Sequence, residues 1–443
     1  MQIQLSDHFT YPRLFRFTLP SIVMMIVTSV YSVVDGLFVS NLVGDAALAA
    51  VNIVFPLTMI VGAFGFMLGT GGSAEVARVM GMGEDQRAKE YFTTLILAIL
   101  ALGVVLSAGC ILFLRPLCAA FGANEALMGD CLSYGYIMLA GSPLFMFQTS
   151  FQSFLVAAER PKMGLALAIG SGIANIGFDY LFIGPLDFGV AGAALGTVSS
   201  YAVGGLIPLL YFLAPNRSRL RLVKTKLYPR MLLRSCANGS SELMSNISTS
   251  LVSALYNRCL MSIAGEQGVA ALSVIMYVNF VFAAAFLGFT MGVAPVFSYQ
   301  YGAGSTGELK SLFGKSVRII GALSLAMVAA AQLLAGPLAA LFVGYDPALK
   351  AMTEAGFRLF ALSFLFNGWN IFGSGFFTAL GDGKTSALLS FLRTLLFQCG
   401  AIALLPMLFD LDGVWWATAA AEGAALLVTL WFLWSKRKTY QYA

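Results

Sequence analysis

Apolar residues in this chain neither alternate nor recur at helical intervals; they run in long blocks separated by short polar segments. A block of about 20 mainly apolar residues is what an α-helix needs to cross the hydrocarbon core of a bilayer. On that rule the first half of the sequence predicts spans near 15–40, 48–77, 91–114, 130–157, 164–184 and 190–213. The second half predicts six more, near 232–260, 269–298, 314–336, 351–379, 386–406 and 414–434. The first block is about 25 residues long and has no A-x-A cleavage site, so it reads as a retained helix and not as a signal peptide. The expected fold class is an all-α integral membrane protein with twelve transmembrane helices in two pseudo-symmetric six-helix lobes.

The two halves repeat one another. Gly44-Asp45 and Leu48-Ala49-Ala50-Val51 return as Gly265-Glu266 and Val269-Ala270-Ala271-Leu272. Gly81-x-Gly83 returns as Gly302-x-Gly304, Pro116-Leu117 as Pro337-Leu338, Phe121 as Phe342 and Gly135 as Gly356, all 221 residues apart. Tyr11-Pro12-Arg13 answers Tyr228-Pro229-Arg230 at 217, and Gly189-Val190 answers Gly413-Val414 at 224. Small loop insertions produce such a drift. Six spans per half give both copies the same sense, so they are parallel repeats about an axis along the membrane normal. The expected units are an N-terminal lobe at 1–214, a basic linker at 215–230 and a C-terminal lobe at 231–443. Two lobes flanking a cleft suit alternating access better than they suit a channel or an enzyme.

Composition supports the bilayer reading. Of 443 residues, 59% are hydrophobic and only 11% charged, where a soluble surface needs roughly 25%. A net charge of +5 spread over short loops is not a nucleic-acid footprint. With the N-terminus inside, about 21 of the 26 basic residues fall on the cytoplasmic side, leaving Arg115, Arg258, Lys350 and Arg358 outside. Both termini are therefore expected in the cytoplasm, in the cell membrane. The linker from Pro215 to Arg230 reads as a solvated segment touching anionic headgroups. Six scattered cysteines form no CxxC pair, and the lone His8 precedes the first span, which argues against metal or triad chemistry. Gly381-Asp-Gly-Lys384-Thr385 resembles the end of a phosphate loop, but Thr378 stands where its first glycine belongs, so no ATP use is expected.

Ionisable residues within spans are costly and point to function. Asp35 in the first span and Asp179 in the fifth lie at similar depth, about 28 and 25 Å from the basic face by helical rise. Asn175 lies one turn below Asp179 on the same helix face, and Thr197 enters about 12 Å from the opposite side. This set of carboxylate, amide and hydroxyl oxygens suits Na⁺, while closely placed carboxylates equally suit a proton. The plainer alternatives are a snorkelling Asp35, a helix-end Asp179, and ordinary interhelical hydrogen bonds from Asn175 and Thr197. In the seventh span, Glu242 and Asn246 sit in a segment too polar to face lipid and are candidates for contact with a cationic substrate. Glu75 with Arg78, and Arg393 with Glu422, read as structural pairs. Met24, Met25, Phe147, Gln148, Phe151, Gln152, Met276 and Asn279 are candidate cleft residues able to adapt to varied apolar shapes.

At these residues the chain resembles the multidrug and toxic compound extrusion (MATE) family over nearly its whole length. The resemblance rests on Pro20 followed by Asp35 within V-D-G-L-F-V, and on the Asn175, Asp179, Thr197 set. It implies a cation-binding network in the N-terminal lobe, with Tyr134 or Tyr136 as a further member and Gln152 where relatives often carry Asn. It also implies bending of the first helix near Pro20, and Glu242 resembles a second-lobe acidic residue of another branch. The implied activity is export of organic cations and amphipathic drugs in exchange for Na⁺ or H⁺, without another cofactor and with a monomer sufficient. A flippase for lipid-linked substrates is the nearest alternative, but it calls for a cationic cavity. A major-facilitator carrier calls for a basic loop motif that Gly81-Met-Gly-Glu-Asp-Gln-Arg87 does not supply.

Overall fold

The computed structural model describes residues 3–42, 45–216 and 218–443, with backbone alone at 32, 33, 35–42 and 45–48. The N-terminal half holds α1 (Tyr11–Leu42), α2 (Asp45–Gly81), α3 (Asp85–Leu112), the short α4 (Leu114–Ala120), α5 (Glu125–Ala157), α6 (Pro161–Ile183) and α7 (Gly189–Leu213). In the C-terminal half, α8 (Pro229–Gly302) is followed by α9 (Thr306–Val343), α10 (Pro347–Phe360), α11 (Phe364–Ala379), α12 (Gly383–Phe391), α13 (Gln398–Leu404), α14 (Pro406–Ser435) and α15 (Arg437–Tyr440). The 74 residues of α8 are two crossings, broken at Gly265 (φ 61°, ψ −151°). A 3₁₀ turn at 361–363 joins α10 to α11, and a π-helical segment at 392–397 joins α12 to α13, each pair making one crossing. Among the described residues this makes twelve crossings.

Several helices run past their apolar blocks, and side-chain caps mark the starts of three of them. Asn124 Oδ1 accepts from Leu127 N at 2.9 Å at the start of α5, and Asp346 Oδ1 from Ala348 N at 2.9 Å at the start of α10. The Gly381–Thr385 segment is another such start: Gly381 has φ +81°, and Asp382 accepts from Thr385 N. Leu112, Leu333, Leu341 and Met407 are exposed on the perimeter, as a lipid-facing surface requires.

Close contacts between the halves obey the sequence repeat. A Cβ on Gly81 would meet Ala303 N at 3.0 Å, and one on Gly302 would meet Arg78 Cα at 3.0 Å. Likewise a Cβ on Gly71 would meet Gly239 N at 2.6 Å, and one on Gly292 would meet Thr18 Cα at 3.1 Å. Gly81 and Gly302 are 221 positions apart, as are Gly71 and Gly292, and Thr18 and Gly239. Each contact is thus the rotated image of another. Small residues let helix backbones meet where lipid gives no hydrophobic drive to associate. These approaches cluster in the half of the bundle carrying the linker and both chain ends, called here the basic face.

The N-terminal segment straps that face. Leu5 and Phe9 are fully buried. Leu5 N donates to Glu159 Oε1 of the first lobe at 2.8 Å, while its carbonyl accepts from Gln300 Nε2 of the second at 2.9 Å. Phe9 N and His8 Nδ1 both reach Glu308, at 2.9 and 2.6 Å.

The linker docks along the first lobe with Arg221, Lys224 and Lys226 exposed. Val223 N donates to Thr93 Oγ1 at 3.0 Å, Leu222 N to Phe212 O at 2.9 Å, and Arg219 pairs with Asp85 at 2.7 Å. Its backbone polar groups find partners on α3 and α7.

Candidate functional site

In the first lobe, α6 buries one stripe: Gly164, Ala168, Ser171, Asn175, Asp179 and Ile183. The three- and four-residue spacing puts these on one face, while Ile173 and Tyr180 point outward. Asp179 is 0% exposed. Its Oδ1 occupies the place that a Cβ on Gly196 of α7 would take. Thr197, the next residue on α7, therefore lies at the height of Asp179; its hydroxyl donates to Ala193 O at 3.0 Å, leaving lone pairs available. Asn175 is buried one turn away.

Helix α1 packs along α6 in parallel. The Met24 sulfur covers Gly164 and the Tyr31 ring covers Gly172. Extending that register by one turn brings position 35 level with 175–176. The side chain of Asp35 lies outside the described residues. Helix α1 is continuous through Pro20.

Of the further candidates, Tyr136 and Gln152 lie apart from these residues. Tyr134 is buried, but Tyr136 is 46% exposed, since residues two apart on a helix face different directions. Gln152 is too deep: Leu155 lies opposite Gly164, so antiparallel register sets Gln152 about 12 Å along α6 from Asn175. Instead Gln148, Phe151 and Gln152 line a cavity with Ser171. It measures about 20 Å³, room for one water. Oxygens of Gln148, Gln152 and Ser171 have no hydrogen-bond partner among the described residues. Phe147 lies outside this cavity, stacked on Phe151 at 5.8 Å and facing α3 and the linker. Met24 is buried as a packing residue, whereas Met25 is half-buried.

The second lobe carries a network whose core the sequence suggested and whose shell it did not. Arg393 Nε donates to Glu422 Oε1 at 2.8 Å and Oε2 at 3.0 Å, and its Nη2 to Asn367 Oδ1 at 3.1 Å. Asn370 Nδ2 donates to Glu422 Oε2 at 2.7 Å, and Thr429 to Asn370 Oδ1 at 2.8 Å. Arg393 lies in the π-helical segment; such segments recur at functional sites. A second group joins Tyr256 OH to Gln398 Oε1 at 3.1 Å and Thr418 Oγ1 at 2.8 Å. Tyr256 is the repeat counterpart of Asp35 at an offset of 221, and Gln398 of Asn175 at 223. Here the second lobe holds a neutral tyrosine where the first has Asp35. The repeat offset was the signal that would have found them.

Glu242 and Asn246 are half-buried on the first half of α8, with Asn246 Nδ2 bonded to the Glu242 carbonyl at 2.8 Å. Met276 and Asn279 are half-buried on the second half, and Asn279 Oδ1 has no hydrogen-bond partner among the described residues. Glu75 bridges Arg78 at 3.8 Å and Arg234 of the other lobe at 3.2 Å.

The MatE family model matches residues 20–181 and 243–400. The multidrug export protein MepA of Staphylococcus aureus is 23% identical over 433 residues, covering 95% of this chain and 92% of that protein. Its Staphylococcus haemolyticus counterpart is 21% identical over 428 residues, covering 96% and 94%. A multidrug resistance MATE transporter of the MOP superfamily, solved in an outward-facing conformation, superposes with a TM-score of 0.92 at 24% identity, covering 98% of each chain. With the fold and both lobes matched, the chain belongs to the MatE family of multi-pass membrane transporters.

Proposed function

We propose that this protein is a secondary multidrug exporter that moves organic cations and amphipathic compounds out of the cell in exchange for Na⁺ or H⁺. The observation that carries the reading is a fully buried carboxylate, Asp179, in a lobe whose partner lobe meets it closely at the basic face. The excess of Lys and Arg supports a cytoplasmic placement of that face. A cytoplasmic seal of this kind is what an outward-facing carrier needs, and it supports lobes 1–214 and 231–443 as the two moving bodies.

The first lobe fits the coupling ion. Carboxylate, amide and hydroxyl oxygens of Asp179, Asn175 and Thr197, with Asp35 level with them along α1, form a hard-ligand set for Na⁺. Two acidic residues brought close also accept a proton. Ion binding there favours the outward-facing state only if its affinity differs between the two states. Removing a carboxylate charge from water gives that difference, because opening and sealing the cleft change its solvation. Tyr134, also buried, borders the same lobe interior. The proposed drug contacts are the half-buried candidates Glu242, Asn246, Met25, Met276 and Asn279. Neither ATP nor nucleic acid takes part, and one chain suffices.

Ethidium efflux from a drug-sensitive bacterial host tests this reading. Wild type should lower the accumulated dye, and Asp35→Asn at matched expression should abolish the effect. A well-expressed wild type that moves no cation in a varied panel would remove drug export as its function.

A further inference from the structure

The perimeter of the first lobe carries a groove distinct from both sites above. It lies between α3, α7 and the docked linker, with a volume of about 400 Å³. Ile96, Leu97, Leu100, Leu209 and Leu213 line it together with the buried Phe147 and the exposed Lys224. We propose that this groove binds an anionic phospholipid of the leaflet on the basic face, one acyl chain lying along α3 and the phosphate against Lys224.

Three observations support that occupant over a neutral lipid or a protein partner. The first is depth. The wall residues on α3 begin at Thr93, about 12 Å by helical rise from the polar start of the helix, and continue for about 10 Å more. An apolar channel that starts just inside the interface and runs inward matches an acyl chain.

The second is charge. The linker from 215 to 230 contains no acidic residue. Arg219 is taken by Asp85 at 2.7 Å, and Glu90 accepts from Tyr228 OH. Arg221, Lys224 and Lys226 are exposed and form no ion pair with a described residue. A cluster of cations beside membrane-spanning helices attracts anionic headgroups.

The third is that the groove is built in advance. Val223 is held to Thr93 at 3.0 Å, Thr225 Oγ1 to Glu90 O at 3.2 Å, and Thr94 Oγ1 to Lys226 O at 3.2 Å. These bonds fix Lys224 between two anchored residues, so its position does not have to be ordered when lipid arrives.

Native mass spectrometry of the purified full chain, titrated with phosphatidylglycerol or phosphatidylcholine, provides the test. Wild type should retain one phosphatidylglycerol in clear preference to phosphatidylcholine. Lys224→Gln should weaken that binding about fivefold, and Lys224→Glu about thirtyfold, on the scale of one headgroup contact per basic residue. Leu209→Trp, which fills the groove, should reduce retention of both lipids. Lys310→Glu makes the same charge change on α9 of the other lobe and should leave binding unchanged. Equal losses for Lys224→Glu and Lys310→Glu would reduce the effect to general surface charge and overturn the proposal. Undiminished binding in folded Leu209→Trp, or no preference for phosphatidylglycerol in wild type, would overturn it as well.

Discussion

Gly239→Val should unseal the basic face. Gly239 lies on the first half of α8 against Met67–Gly71 of α2, and a Cβ there would fall onto the Met67 carbonyl and within 3.1 Å of Gly71 N. The obstructing atoms are backbone in two long helices, so no side-chain rotation relieves the clash. Valine adds two methyl groups beyond that Cβ. Overpacking of this kind costs about 1–3 kcal/mol, and it falls mainly on the state in which the lobes touch at this point. The ratio of sealed to unsealed molecules should therefore drop by a factor of about 5–150. The assay is a spin–spin distance distribution between labels at Gln86 and Lys310, exposed residues on the basic face of opposite lobes. Gly239→Val should shift weight to longer distances. Gly314→Val is the control, because a Cβ on Gly314 meets no heavy atom within 4 Å. An unchanged distribution in folded Gly239→Val protein would refute the claim that backbone contact at Gly239 seals the lobes.

Two other outcomes follow from buried charge. Arg393→Met leaves the buried Glu422 without its cation and should cost about 3–5 kcal/mol, read as a lower melting temperature in detergent; Arg393→Met with Glu422→Leu should recover most of it. Burial pushes the Glu159 carboxyl above its ordinary value of 4.5, despite the Leu5 amide and Arg219. The folded chain then holds more protons than the unfolded chain just above that pH, so stability should fall as pH rises through the window and level off once Glu159 ionises. Glu159→Gln should flatten that decline in a melting-temperature series.

Much of the fold was legible because lipid imposes a coarse rule: an apolar block of sufficient length has few alternatives to a helix. The repeat was legible for a similar reason, since glycines such as Gly81 and Gly302 mark backbone contacts that admit nothing larger. The site was only partly legible. Asp179 and Asn175 stood out as polar residues in an apolar run, and their burial on one stripe agrees with that. The depth of Gln152 and the choice between Tyr134 and Tyr136 were not legible, because depth and helix face depend on neighbouring helices, which one span's sequence does not record. Asn367, Asn370 and Thr429 escaped notice because uncharged polar residues are common in spans; only the placement of Arg393 and Glu422 gives them a role. The strap through Leu5 and Phe9 was missed because its partners, Glu159, Gln300 and Glu308, are far away in sequence.

The most direct test of coupled export is ion flux driven by drug in reconstituted proteoliposomes. With an outward gradient of ethidium and no imposed ion gradient, wild type should move H⁺ or Na⁺ the opposite way, seen with a lumenal pH or Na⁺ indicator. Asp179→Asn should abolish that ion movement while the protein remains folded. Ethidium transport without any counter-moving ion, or ion flux untouched by Asp179→Asn, would contradict the account.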